Sequence, residues 1–553
     1  MNYMNKTLNI CICLFISLSI SGQNTVGLIS YKKDKSFDGY NLIYPHNQPH
    51  IYLLNNCGEV VHSWKDSIIW RPGNTAYITK EGKLIKTKRN NNISGNPIWF
   101  GGGGAIVEIR DWNNSLEWTY EVNDTINRLH HDIAPMPNGN ILMIVWQKRT
   151  KTELIATGRD TSRFKETVLH SDYIIEVNPK TNQVVWRWNM WDHMIQDYDA
   201  TKANYGIVAN NPEKININYP SQSEGSSWLH TNSIDYNEEL DQIMVSIPTY
   251  NEIWVIDHST TTTQAVGSIG GLSGKGGDLI YRWGNPATYN KSNVINQTLF
   301  FQHDAKWINN FINAADPNYG KISVFNNRAG IDFSTANFFI PPWDMYEWRY
   351  QKTMGTWGPV APELTVKHPT PTKLYSTGLS SFDLLPNKNV LIISGRDGYA
   401  FELTPDNQIV WEYKVPLKNG NAVNQGAILS PNDNTTFRIN RYPVNYTAFQ
   451  GKDLSPKGFI ELIPNIGYCN KLVSNEDIIL SSNIRIFPNP ASDLVNVFVA
   501  TPTAATILSS DGTKIKDLIL DSGKNEVFIS DLKAGLYFIN TENGIIKAFS
   551  VVK

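Results

Sequence analysis

A degenerate repeat runs through the middle of this 553-residue chain and constrains its fold more than any other feature. One half of each unit is a turn followed by an apolar strand, at residues 81–89, 138–146, 240–247, 320–328 and 387–398. The other half is a strand, a polar turn and a strand that ends in tryptophan, at Trp64, Trp118, Trp188, Trp283 and Trp411. Each half therefore predicts a β-hairpin.

Two hairpins supply four strands, which make one blade of a β-propeller. Five copies are legible and a sixth, around residues 338–365, is blurred, so we predict an all-β, six-bladed β-propeller. We expect the terminal tryptophans to pack between neighbouring blades and the insertions at 148–170, 192–228 and 284–300 to lie on the functional face. A β-sandwich and a β-solenoid are the alternatives. A solenoid needs a shorter and stricter period, and a sandwich does not repeat such a hairpin pair.

The repeat-bearing domain is predicted to span residues 23–470, after a signal peptide at residues 1–22. Lys6 precedes an apolar core from Leu8 to Ile20, and small residues follow it, as signal peptidase requires. That core is shorter than the roughly 20 apolar residues of a membrane-spanning helix, and no later stretch is long or apolar enough to be one. We therefore expect an exported protein without a transmembrane segment.

The composition changes after a predicted linker at residues 471–484, and residues 485–553 alternate apolar and polar side chains. This pattern predicts a small C-terminal β-sandwich. The sequence Phe487-Pro488-Asn489-Pro490, the segment from Leu532 to Tyr537 and the final Val-Val-Lys resemble the C-terminal sorting domain of the type nine secretion system of Bacteroidetes. The resemblance implies the secretion machinery as a partner and a secreted or cell-surface location, reached through the periplasm and outer membrane. A carbohydrate-binding sandwich is the alternative.

The net charge excludes some classes of binding partner, and the cysteine content allows one disulfide. A net charge of -2 supplies no basic surface for nucleic acid and no polybasic patch for a membrane. Cys57 and Cys469 are the cysteines outside the signal peptide. In an oxidising compartment they form either one disulfide, which joins the first and last parts of the large domain, or two buried thiols.

Histidines occur at matched points of three successive repeats, where the first strand of a blade begins. They are His131, His230 and His303. Because the first strand of a blade lines the central channel, we expect these imidazoles to converge near the axis, with Arg328 and Arg396 from the following strands beside them. Histidine can act as nucleophile, acid or base, or metal ligand, and the planar fork of arginine suits a sulfate or phosphate group. A purely structural role in bridging strands is the alternative for the two His-Asp pairs. The other histidines are interpreted as surface or core residues: His46, His50, His62, His170, His193, His258 and His368.

Four segments resemble bacterial arylsulfotransferases: 228–246, 276–286, 301–328 and 389–413. The resemblance spans roughly residues 40–465. It implies a six-bladed propeller that moves a sulfuryl group from a phenolic sulfate ester to another phenol, with no nucleotide donor, cofactor or metal.

The resemblance also implies site residues. His230, His303 and Arg328 match catalytic positions of the family, and His131, Arg396 and Tyr399 are expected to bind substrate. In the family a histidine near the channel centre becomes transiently sulfurylated. Its position falls in the segment 394–401, which contains Arg396 and Tyr399 but no histidine. Two other functions remain open: a non-catalytic surface propeller that binds sulfated or anionic glycans, and a metal-dependent hydrolase with histidine ligands.

Overall fold

A computed structural model describes residues 23–67, 70–90, 101–162, 164–219, 226–291, 296–473, 484–499, 501–542 and 546–553. The predicted signal peptide and most of the predicted linker lie outside the described residues. Antiparallel sheets dominate the rest of the chain. Among the described residues, short α-helices lie at Lys151–Ala156 and Thr262–Val266, and residues 468–473 are also helical.

Six antiparallel sheets form the blades of a propeller, which confirms the predicted fold. From the axis outward, blade 1 contains Thr436–Pro443, Gly39–Pro45, His50–Leu54 and Val60–Lys65. Blade 2 contains Trp70–Ile78, Leu84–Asn90, Ala105–Arg110 and Leu116–Glu121, and blade 3 contains Asn127–Pro135, Ile141–Thr150, Val168–Asn178 and Gln183–Asn189. Blade 4 contains Ser233–Asn237, Gln242–Ile247, Glu252–Asp257 and Tyr281–Trp283. Blade 5 contains His303–Trp307, Ile322–Asn326, Thr335–Phe339 and Leu364–Val366, and blade 6 contains Ser381–Leu384, Val390–Ser394, Tyr399–Leu403 and Ile409–Lys414.

Both ends of the repeat region close the ring. The first strands of the six blades contact one another in a closed circle. Thr436–Pro443 comes late in the chain but pairs with Gly39–Pro45, so blade 1 combines both ends of the domain. Gly27–Tyr31 adds a fifth strand to the outer edge of blade 6. Cys57 and Cys469 form a disulfide with a Cα–Cα distance of 5.4 Å, which joins blade 1 to the segment after the last strand.

The terminal tryptophans pack between blades, as the repeat predicts. The Nε1 atom of Trp64 donates to the carbonyl of Asp111 in blade 2, and that of Trp411 in blade 6 donates to Asn56 in blade 1. Trp118, Trp188 and Trp283 make equivalent bonds to the next blade. The blurred repeat is the outer half of blade 5, where residues 340–363 separate the third strand from the fourth and no tryptophan ends the latter.

The C-terminal module contains two antiparallel sheets, in agreement with the predicted sandwich. One comprises Arg485–Phe487, Leu494–Val499 and Gly523–Phe528. The other comprises Lys514–Leu520, Thr503–Ser509, Gly535–Thr541 and Ile546–Val551. Buried side chains from both sheets, including Val497, Ile507, Ile539 and Phe549, form one apolar core.

A buried arginine joins three inner strands at the axis. Arg438 of blade 1 donates through Nη1 and Nη2 to Asp132 of blade 3, and through Nε to Asp304 of blade 5. Asp132 also accepts from the backbone of Ile234 in blade 4, and Asp304 from that of Phe382 in blade 6. The aspartates that follow the channel histidines therefore have the structural role considered as the alternative.

Loss of the Arg438 guanidinium is expected to destabilise the propeller strongly. Arg438→Met leaves the buried carboxylate of Asp132 without its Arg438 counter-ion and leaves Asp304 paired with Lys306 at 2.9 Å. Removal of one partner of a buried pair costs about 3–5 kcal/mol. Scanning calorimetry should show a clearly lower Tm. Arg349→Met is the control, because the Arg349–Glu347 pair is 61% and 54% exposed and contributes about 0–1 kcal/mol. Equal Tm values for the two variants would contradict this role.

Candidate active site

Bulged inner strands place the histidines at one end of the channel. The pairing of the first two strands shifts register next to His131 in blade 3 and directly after His303 in blade 5. His131, His230 and Asp304 have left-handed backbones, with φ of 49°, 57° and 57°. A bulge redirects side chains, and non-glycine residues with positive φ carry a conformational cost that is commonly found at functional sites. The local distortion therefore turns these imidazoles out of the regular ladder and into the channel.

His131 and His230 lie together, as the sequence predicts. Their ring centroids are 4.6 Å apart. The Nδ1 atom of His131 is 2.8 Å from Nδ1 of His130, which stacks on Trp146 at 4.1 Å. The backbone of Gly102 lies against the other ring nitrogen, because a Cβ there would be 2.0 Å from Nε2 of His131. Both nitrogens of His131 are thus in contact with protein.

Behind His131 the structure holds an acidic group that no sequence pattern indicates. Oδ1 of Asp172 is 3.7 Å from Nε2 of His130. The other carboxylate oxygen, Oδ2, accepts from the backbone and hydroxyl of Thr231. Burial raises the pKa of Asp172 to about 7. Asp172, His130 and His131 form a line of titratable groups that leads from the interior of blade 3 to the channel.

His230 and His303 are each held at Nδ1. The Nδ1 atom of His230 is 2.9 Å from the hydroxyl of Ser227. Nδ1 of His303 is 2.8 Å from Oδ1 of Asn327 and 3.2 Å from the carbonyl of Phe301. In both residues Nε2 makes no hydrogen bond within the described part of the chain. Each Nε2 is therefore the ring nitrogen that the described protein atoms leave free for another partner.

Two arginines complete this end of the channel. Arg328 stacks on the ring of Phe301 at 3.9 Å and donates from Nε and Nη2 to the carbonyl of Thr377. Arg396 donates from Nη1 to Asn432, while its buried Nε has no hydrogen-bond partner within the described ranges. A Cβ on Gly378 would lie 3.4 Å from Nη2 of Arg396 and 3.7 Å from Cε1 of His303, so these two side chains are close neighbours.

The histidines are neutral and the arginines supply the positive charge. Burial lowers the pKa of His230 to about 4. The pKa of His303 falls to about 3, chiefly through burial and further through His230 and Arg396. Burial also lowers the pKa of Arg396, and the charge of Arg328 adds to this effect. Across the described residues neither Arg328 nor Arg396 pairs with a carboxylate, so the site suits an anion with several oxygens.

Two further side chains are placed by the structure relative to the channel histidines. His46, interpreted from the sequence as a surface or core residue, directly follows the second strand of blade 1. Burial, Arg89 and Arg396 lower its pKa to about 3. It therefore belongs to the same charged region.

The hydroxyl of Tyr399 donates to Glu412 in the outer strand of blade 6 and is 3.4 Å from Nε2 of His368. Tyr399 stacks on Phe401 and packs against the apolar cluster between blades 5 and 6 rather than beside the channel histidines.

A family model described as arylsulfotransferase (ASST) matches residues 46–425. The chain belongs to the arylsulfotransferase family. This match confirms the resemblance seen in the sequence and supports an arylsulfotransferase-like function. Among curated proteins, none matches the chain. In the described parts of this arylsulfotransferase-family protein, no group of three or more His, Cys, Asp or Glu side chains is arranged to hold a metal ion.

Several solved structures are similar to the chain at low identity. A protein of unknown function from Bacteroides caccae is 12% identical, with 68% of this chain and 94% of that chain covered and a TM-score of 0.35. A streptogramin B lyase is 11% identical, with 77% and 96% covered and a TM-score of 0.33. A putative 6-phosphogluconolactonase from Bacteroides fragilis is 11% identical, with 69% and 97% covered and a TM-score of 0.32.

The C-terminal module matches a second family model, a secretion system C-terminal sorting domain, over residues 485–551. This match indicates export to the cell surface or the medium. Over the residues that the structure describes, no helix is long and apolar enough to cross a membrane.

The low pKa of His303 predicts how stability changes in acid. This pKa is about 3 in the folded protein and near 6.5 in an unfolded chain. Between these values the unfolded chain binds a proton that the folded protein does not, so the free energy of unfolding falls as the pH falls. Calorimetry should therefore show that His303→Gln loses less stability than the wild type between about pH 6.5 and pH 4.

His258→Gln is the control of opposite sign. Burial opposes the charge of His258, but hydrogen bonds to Asp241 and Glu176 raise its pKa to about 9. Its stabilisation is fully present below about pH 6.5 and is lost as the pH rises through about 9. His258→Gln should therefore be most destabilising in acid. Parallel stability profiles for the two variants would refute this assignment.

Proposed function

We propose that this protein is an exported aryl-sulfate sulfotransferase. It moves a sulfuryl group from a phenolic sulfate ester to another phenol without a nucleotide donor. The observation that carries the proposal is the buried, unpartnered Nε of Arg396 beside neutral His303, because a buried donor without a partner is costly unless a ligand supplies the acceptor. Family membership supports the same reaction.

The sulfuryl oxygens bind to the two arginines. The Nε atom of Arg396 and the remaining guanidinium donors of Arg328 are available within the described residues. Fixed donors of this kind hold the charge that spreads over the sulfuryl oxygens as the ester bond breaks, and they act most strongly where water is excluded.

His230 exchanges the proton of the phenol. The hydroxyl of Ser227 can donate to or accept from Nδ1 of His230, so this imidazole can carry its proton on either nitrogen. Nε2 can thus hydrogen-bond the departing phenolate and later take the proton of the acceptor phenol. His131, 4.6 Å from His230 between ring centroids, supports the ring from the side.

Turnover tests the proposal directly. The purified mature protein should release nitrophenol from nitrophenyl sulfate, faster when phenol is added as acceptor. Arg328→Ala should lower kcat/KM by about 100-fold, the usual effect of removing one donor to a developing charge. No release by the wild type with a panel of phenols would count decisively against this function.

Arg187→Ala is the matched control. Arg187 also stacks on an aromatic ring, that of Tyr173 at 4.2 Å, but it lies in the outer strand of blade 3. Removal of its guanidinium should leave kcat/KM within a factor of about two, because the side chain is remote from the channel. Equal losses in the two variants would indicate a general effect on stability rather than a role of Arg328 in the site.

A second function is favoured by the absence of a histidine in the segment 394–401. A non-catalytic surface propeller would use the same two arginines to bind a sulfated or anionic glycan. It predicts calorimetric binding of a sulfated glycan, weakened by Arg328→Ala, with no release of nitrophenol. The sorting domain suits either function, and recognition of that domain by the secretion machinery is part of both proposals.

A further inference from the structure

The orientation of the Asn327 side-chain amide determines which ring nitrogen of His303 carries the proton. Nδ2 of Asn327 is 2.9 Å from two backbone carbonyls, those of Ser376 and Leu379. Because the amide nitrogen donates to both, Oδ1 must be the atom that contacts His303. An amide oxygen only accepts, and so does the carbonyl of Phe301, the second neighbour of Nδ1. Nδ1 of His303 therefore carries the proton, and Nε2 carries a lone pair.

The neighbouring histidines lack this arrangement. Nδ1 of His131 shares a proton with Nδ1 of His130, and Gly102 lies against its Nε2. Nδ1 of His230 contacts the Ser227 hydroxyl, which fixes neither tautomer. Of the three channel histidines predicted from the sequence, only His303 is thus held with an unprotonated Nε2. That side chain is 4% exposed, so a ligand reaches only a small part of it.

We propose that Nε2 of His303 is the atom that attacks sulfur, and that Asn327 is the residue that positions it. This inference rests on the proposed function. The attack site lies next to Arg396, whose unpartnered Nε is available for a sulfuryl oxygen. The segment 394–401, which supplies Arg396, contains no histidine for the family's covalent step. His303 takes over this step from the neighbouring blade.

The reaction balances in two displacements. The Nε2 lone pair forms a bond to sulfur while the sulfur–oxygen ester bond breaks, and its electron pair leaves with the phenolate. The imidazole then bears the sulfuryl group on Nε2 and keeps the Nδ1 proton, bonded to Asn327. In the second step the acceptor phenol oxygen attacks sulfur, its proton passes to His230, and the nitrogen–sulfur electron pair returns to Nε2. His230 then releases that proton to solvent, where it balances the phenolate that left in the first step.

Trapping the intermediate tests the attack. The full mature protein is mixed with nitrophenyl sulfate without acceptor, quenched in base and digested, and the peptides are analysed by mass spectrometry. We expect an adduct of about 80 Da, the mass of one SO₃ group, on the peptide that contains His303, discharged on addition of phenol. His303→Gln should lose the adduct and the burst of nitrophenol. His230→Gln should keep the adduct but discharge it slowly.

Asn327 is tested with a neighbour as control. Asn327→Leu should lower the rate of labelling at least about 10-fold, because its loss frees His303 to carry its proton on Nε2. Nitrogen-15 spectra of labelled protein should show His303 protonated at Nδ1 in the wild type and redistributed in the variant. Asn326→Leu also removes a buried amide, held by Phe300 and Thr298, but leaves the contact to His303 intact. It should keep the wild-type spectrum.

The outcomes separate the two proposals. Turnover with the adduct on another residue, or turnover with no adduct at any time, would overturn the attack by His303 and leave the sulfotransferase function standing. A wild-type spectrum with the proton on Nε2 of His303 would overturn it independently of activity. A complete absence of turnover would overturn the function and the attack together.

Discussion

The bond network around Arg438 is the constraint on which the site depends. A six-bladed ring has no continuous core at its axis, so something must fix the inner strands relative to one another. Here one guanidinium bridges Asp132 and Asp304, and these carboxylates in turn accept backbone donors from the next blades. Each aspartate directly follows a channel histidine. The strands that carry His131 and His303 are therefore held by the same buried ion network.

The sequence predicts a feature of the fold correctly where a local pattern allows only one tertiary arrangement. A tryptophan at the end of an outer strand has no place to bury its ring except the next blade, and Trp64, Trp188 and Trp411 all do so. Histidines at the start of inner strands must meet near the axis once the ring closes. The same reasoning located Arg328 and Arg396. These features were predictable because each depends only on strand order and on the position within a strand.

The residues that escaped prediction depend on contacts between distant segments. The carbonyls of Ser376 and Leu379 orient the amide of Asn327 toward His303. No pattern in the sequence predicts that these segments pack together. Asp172 reaches His130 only through the fold of blade 3. Tyr399 is also placed by such contacts. It begins a strand close to Arg396 in sequence, but the alternation of side chains along that strand turns it toward Glu412 and the cluster between blades 5 and 6.

The positive charge of the arginines and the neutral state of the channel histidines are linked. Unpaired guanidiniums attract a sulfuryl group, and Arg396 also adds to the burial that lowers the pKa of His303 and His46. A protonated imidazole has no lone pair on Nε2, so a charged histidine could not make the attack that we propose. With the arginines left without carboxylate partners and the imidazoles buried, the site combines positive charge for an anion with neutral imidazoles. Asp132 and Asp304 lie one residue beyond the histidines, where they pair with Arg438 and Lys306 rather than with Arg328 or Arg396.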